Sequence, residues 1–190
     1  ELILGGQKSG KSRRAELLAR QWLEQGAGHR AVLIATAQPW DDEMRQRIAR
    51  HQADRAARVP GMVTVEEPLA LAQAIAQHSH PDTLVVVDCL TLWLTNCLMP
   101  VEAPSEAPPS EPLSSADARD SGATRNNRSN RPLAHAECAQ VAPLLIAIKQ
   151  APGPLVLVGN EIGLGVIPMG AQVRAFVDTL GKLNQDVAAS

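Results

Sequence analysis

Five short apolar runs punctuate the chain, at residues 2–4, 31–35, 62–65, 84–87 and 155–158, each bounded by polar or turn-forming residues. Runs of Val, Ile and Leu this short, without polar alternation, read as strands buried on both faces. Between them the apolar positions recur at helical spacing, over 13–25, 42–57, 68–78, 90–99, 134–150 and 171–185. Strands alternating with helices predict an α/β fold with a mainly parallel sheet and helices on both faces. In such sheets ligands gather beyond the carboxyl ends of the strands, so the residues following each strand are the place to look for chemistry.

The first strand runs directly into Gly5, Gly6, Gln7, Lys8, Ser9, Gly10, Lys11 and Ser12, a complete G-x-x-x-x-G-K-[ST] pattern. The glycines allow a turn tight enough for backbone N–H groups to point at phosphate oxygens. Lys11 is placed to reach the β- and γ-phosphates, and the Ser12 hydroxyl to ligate Mg²⁺. The helix that follows carries Leu17, Leu18 and Trp22 on one face, and its N-terminus favours the anion. This strand–loop–helix unit predicts a nucleotide-binding protein.

Composition narrows the partners. The 190 residues, 45% hydrophobic, suffice for one domain with a substantial core. A net charge of −2 gives no basic field for nucleic acid, and three Trp, one Phe and no Tyr leave little for base stacking. Cys89, Cys97 and Cys138 form no C-x-x-C pair, which fits buried thiols in a reducing cytoplasm rather than a zinc site or disulfides. No apolar run is long enough for a membrane span. The chain opens on a strand, so no signal peptide is expected. Residues 100–132 hold six of the fourteen prolines and almost no large apolar side chains, and read as a disordered insertion in a single domain spanning 1–190.

Further chemistry follows the later strands. Asp88 ends the 84–87 run, where an acid holds Mg²⁺ directly or through water. Thr91, Thr95 and Asn96 on the next helix either line a substrate cleft or are satisfied polar residues on a half-buried face. Asp41 or Asp42 is positioned to cap the helix over 42–57. On that helix Met44, Ile48, His51 and Arg55 share one stripe, with Arg47 beside it. The arginines suit phosphates, and the imidazole suits a nucleophile or an acid–base group. An exposed cationic helix would read the same way. Gly159-Asn160-Glu161, at the end of the last strand, either shapes backbone around a ligand or forms a plain loop.

Taken in order, these pieces resemble one family, the bifunctional adenosylcobinamide kinase / adenosylcobinamide-phosphate guanylyltransferases of cobalamin biosynthesis. The matching stretches are GGQKSGKSRRAE at 5–16, IATAQPWDDEMRQRIARHQADR at 34–55, TVEEP at 64–68, VDCLTLWLTN at 87–96, GNEIGLGVIP at 159–168 and RAFVDTLGKLNQ at 174–185. The resemblance implies a P-loop NTPase domain with a RecA-like, mainly parallel sheet, commonly assembled as a homotrimer. It implies that ATP or GTP phosphorylates the aminopropanol hydroxyl of adenosylcobinamide, with Lys11, Asp88 and Mg²⁺ on Ser12 neutralising charge. His51 is implied to attack the α-phosphate of GTP and to pass GMP to adenosylcobinamide phosphate. Ala35, Thr36, Ala37, Gln52, Ala53, Asp54, Arg55 and Glu66 are implied to contact the guanine nucleotide. The chain departs from the family pattern in three ways: the spacing from His51 to Glu66 is longer by three residues, with Met62 where Trp is usual; the 100–132 segment is longer and more polar; and the family continues into a further strand beyond residue 190, so either the sequence is cut short or its sheet lacks an edge. Two other readings stay open: a simple P-loop small-molecule kinase without a covalent intermediate, and a nucleotide-gated regulatory module with 100–132 as its contact arm.

Overall fold

The apolar runs form one parallel sheet of β1 (Leu2–Gly5), β2 (Arg30–Ala35), β3 (Val63–Glu66), β4 (Thr83–Asp88) and β5 (Leu155–Asn160), in spatial order β1-β5-β4-β2-β3. These elements come from a computed structural model, in which residues 1–99, 139–163 and 168–190 are described. The helices are α1 (Lys11–Glu24), α2 (Asp42–Arg58), α3 (Leu71–His78), α4 (Leu90–Leu98), α5 (Val141–Gln150) and α6 (Ala171–Ala188). Each expected run matches a strand to within a residue or two, and each helical pattern a helix. Residues 134–138, the start of the fifth pattern, and the segment 100–132 lie outside the described residues.

The pleat divides the core. Leu84 and Val86 of β4 face one side, packed with Ala15 and Ala19 of α1, Leu33 and Val156. Val85 and Val87 face the other, among Leu71, Ile75, Trp93, Leu94, Leu144 and Leu180 from α3 to α6. Both faces of β4 are therefore dry, which explains why its sequence runs apolar instead of alternating. One strand, β5, separates the strand that enters the phosphate loop from the strand that ends in Asp88, as expected of a RecA-like P-loop domain.

Register sets the upper edge of the sheet. Gly5 pairs with Asn160, Asp88 with Val158 and Ala35, and Ala35 with Glu66. At about 4.8 Å per strand, the β1 end lies roughly 10 Å from the β4 end and roughly 19 Å from the β3 end.

Candidate functional site

The phosphate loop turns over left-handed backbone. Gly10 has φ +92° and is the N-cap of α1 without any side-chain cap. Only glycine adopts that φ without strain. A Cβ built on Gly10 would meet nothing within 4 Å, so the space above the helix start is open. The leading N–H groups of α1 consequently face this space with no cap from the protein, the arrangement that receives a phosphate. Lys11 folds back onto the loop, its Nζ donating to the Gly6 carbonyl and, at 3.4 Å, to Ser9 Oγ. The ammonium is thus held at the mouth of the loop by weak neighbours that a phosphate oxygen can replace.

Asp88 stands at the end of β4, two strands from the loop. The Cys89 thiol is pushed up from 9.0 to about 11, chiefly by burial and then by the Asp88 charge, with Lys11 pulling it down slightly. Lys11 and Asp88 thus act on one point from opposite signs. No group of three or more His, Cys, Asp or Glu capable of holding a metal occurs among the described residues. Ser12 Oγ and the Asp88 carboxylate offer hard oxygen donors only, and neither side chain has a hydrogen-bond partner among the described residues. That donor set fits Mg²⁺, which takes one or two protein oxygens plus phosphates and water. Cys89 itself is shielded. At pH 8 it is expected to react with iodoacetamide roughly 100-fold more slowly than an unperturbed thiol, from its ionisation alone. Mass spectrometry of the native protein checks this, and fast carboxamidomethylation at Cys89 would contradict the shift.

α2 is oriented as its stripe requires. Asp41 caps it, its Oδ1 accepting from Met44 N at 2.7 Å, which settles the choice between Asp41 and Asp42. Met44, Arg47, Ile48 and His51 are half-buried and Arg55 is only 7% exposed, so this stripe is the face turned to the protein. Among the described residues the His51 imidazole and the Arg47 and Arg55 guanidiniums have no hydrogen-bond or ion-pair partner. Two other cations of the helix are neutralised, Arg45 by Asp42, and Arg58 by Asp54 at 3.0 Å and by Glu16 of α1 at 2.9 Å, while Arg50 is exposed. The Glu16 bond and charge hold the Arg58 guanidinium above its ordinary value. Arg55 thus carries its charge on the inward face with no counter-charge among the described residues, and a bound anion would supply one.

The remaining expectations divide. Gln52 Nε2 donates to Glu66 Oε1 at 3.1 Å, joining α2 to the end of β3. Ala35 and Ala37 lie on the same edge, half-buried. Two residues do not face that site with their side chains, and a third is engaged by a neighbouring cation. Thr36 is completely buried, its hydroxyl donating to Cys89 O at 2.8 Å and accepting from Cys89 N at 2.9 Å. Ala53 is exposed on the opposite side of α2, about 200° round from His51. Asp54 is engaged by Arg58. The three additional residues before Met62 form a turn, with Met62 N donating to Val59 O and Gly61 at φ +97°.

Thr91 and Asn96 prove to be buried polar residues bonded to neighbouring strand ends rather than cleft lining, 7% and 3% exposed. Gly159 within β5 and Gly163 after it both lie close against neighbouring side chains. A Cβ on Gly159 would lie 2.8 Å from Leu4 Cδ2, and one on Gly163 2.8 Å from Val177 Cγ1. Residues 164–167 of that stretch lie outside the described residues. Sequence reading missed Glu16, which sits buried beneath α2. Its only signal is an acid on the apolar side of α1.

Comparison with known proteins adds an independent finding. The family model described as "Cobinamide kinase / cobinamide phosphate guanyltransferase" matches residues 1–190. A protein of Pseudomonas aeruginosa named bifunctional adenosylcobalamin biosynthesis protein CobP is 38% identical over 188 residues, covering 99% of this chain and 86% of that protein. The bifunctional adenosylcobalamin biosynthesis proteins CobU of Escherichia coli and Salmonella typhimurium are 32% and 30% identical over 189 residues, covering 100% of this chain and 90% of each of those proteins.

Proposed function

Because this chain belongs to the cobinamide kinase / cobinamide phosphate guanyltransferase family, a family of transferases, we propose that it phosphorylates adenosylcobinamide and then transfers GMP to the product. The observation that carries the second step is the unpartnered His51 beside the buried, unpaired Arg55 on the inward face of α2.

In the first step the aminopropanol hydroxyl attacks the γ-phosphorus of ATP or GTP, its proton passes to solvent water, and the bond from the γ-phosphorus to the bridging oxygen breaks as the nucleoside diphosphate departs. The N–H groups opening α1 and the Lys11 ammonium take up the charge that spreads over the phosphoryl oxygens. Ser12 and Asp88 would hold Mg²⁺, which when bound neutralises the β- and γ-oxygens.

In the second step a neutral ring nitrogen of His51 attacks the α-phosphorus of GTP, and pyrophosphate leaves. A phosphate oxygen of adenosylcobinamide phosphate then attacks the same phosphorus and His51 departs, giving adenosylcobinamide-GDP. Arg47 and Arg55 bind the phosphate charge that passes between them. Glu66, steadied by Gln52, can accept from the N1–H and N2–H₂ donors of guanine, a pattern adenine lacks. The roughly 19 Å from β1 to β3 is of the order an extended nucleoside triphosphate reaches, so guanine at Glu66 leaves the polyphosphate directed towards the loop.

The test is incubation with GTP labelled at the α-phosphate. Label bound to the protein, lost in acid and stable in alkali, is expected of a phosphorus–nitrogen bond to histidine. A simple kinase would leave the protein unlabelled, and so would a nucleotide-gated module.

A further inference from the structure

Helix α4 leaves the sheet immediately after Asp88 and fastens three other strand ends through its side chains. Thr91 Oγ1 accepts from Asn160 N at 2.8 Å, at the end of β5. Trp93 Nε1 donates to Leu69 O at 2.9 Å, in the turn after β3. Asn96 Nδ2 donates twice, to Thr36 O at 2.8 Å after β2 and to Pro68 O at 3.0 Å after β3. Both groups facing that amide nitrogen are carbonyls, which fixes its orientation. Asn96 is 3% exposed, and its own Oδ1 is buried without a partner among the described residues. The side chain thus keeps one acceptor unpaired while supplying the hydrogen bonds of two strand-end carbonyls that an apolar residue would leave without a donor.

Resting on the guanylyl-transfer reading, we infer that Asn96 is a positioning residue for that half-reaction: it locks the segment leading into the His51 helix to the segment that carries Glu66. Thr36 directly follows β2 on the way to Asp41 and α2, and Pro68 lies two residues beyond Glu66. One amide therefore sets the spacing between the nucleophile's helix and the guanine-reading carboxylate, from beneath, without touching nucleotide. The kinase half depends on it far less. Thr36 remains tied to Cys89 by its own hydroxyl and to Asp88 by its N–H to Asp88 O at 3.2 Å, and the phosphate loop stands three strands away.

The experiment compares two rates in one preparation of the full chain: single-turnover labelling by α-labelled GTP, and phosphorylation of adenosylcobinamide. Asn96→Leu removes both donors while keeping the number and branching of the side-chain heavy atoms. A misplacement of this kind costs on the order of 10- to 100-fold in labelling rate, and the kinase rate is expected to stay within about threefold. Should Asn96→Leu fail to fold, Asn96→Ser, which keeps a single donor, is read by the same pair of rates, with an unequal loss in the same direction expected. Equal losses in both rates, or no loss in either, overturn the inference while leaving guanylyl transfer standing. Absence of label on the unsubstituted protein overturns the guanylyl-transfer reading itself, and this inference with it.

Discussion

His51→Ala is expected to abolish labelling by α-labelled GTP, a loss of at least about 10,000-fold, the scale on which removal of an enzymic nucleophile registers. No other described histidine is placed to substitute. His29 precedes β2, stacks on Trp22 with ring centroids 4.1 Å apart and bonds its carbonyl at 2.8 Å. His78 and His80 precede β4. All three therefore sit at the amino ends of the strands, across the sheet from the phosphate loop. His51 is half-buried and holds no other group in place, so the substitution is expected to leave thermal stability within a few degrees of the parent. Phosphorylation of adenosylcobinamide should persist within a few-fold. Label that survives in His51→Ala would refute the assignment of the nucleophile, and a parallel loss of kinase activity would refute the division of labour between the loop and α2.

Lys11→Met is expected to show the opposite selectivity. It keeps the length of the side chain but removes the ammonium that now rests on Gly6 O and Ser9 Oγ. A charged donor aimed at developing phosphoryl charge in a partly desolvated site contributes about 100- to 1000-fold to rate. The kcat/KM for phosphorylation should fall by that factor. Lys11→Arg should recover little of it, because a planar guanidinium does not reproduce a compact ammonium inside a tight loop. Labelling of His51 should fall by only about tenfold, since the loop there holds the departing pyrophosphate and does not face the attacked phosphorus. Retention of more than about a tenth of the kinase activity would remove Lys11 from its proposed role.

The two substitutions probe features that local pattern made visible. The G-x-x-x-x-G-K-[ST] loop is contiguous, and its glycines and lysine act within eight residues of chain. The His51 stripe is nearly as local. Helical periodicity places Met44, Ile48, His51 and Arg55 together whatever the helix packs against, and the structure turns that stripe inward. The same rule places the Ala53 side chain on the far side of α2. The Thr36 side chain is turned away from the site for another reason. Its hydroxyl partners lie 53 residues away, and no property of Ala-Thr-Ala announces them.

What the sequence determined by itself is the order of elements, the phosphate loop, the cationic histidine helix and the family, because each depends on residues that are neighbours in the chain or recur at a fixed period. What only the tertiary structure decided is how the polar residues at the strand ends divide between chemistry and support. Asn96 reaches partners 28 and 60 residues away, Glu16 meets Arg58 at a separation of 42, and Thr91 meets Asn160 at 69. A parallel sheet forces this division. Its strand ends come together only after long crossovers, so the hydrogen bonds that satisfy one strand end are made by segments remote in the chain, and a polar side chain's role is settled by which of them arrives beside it.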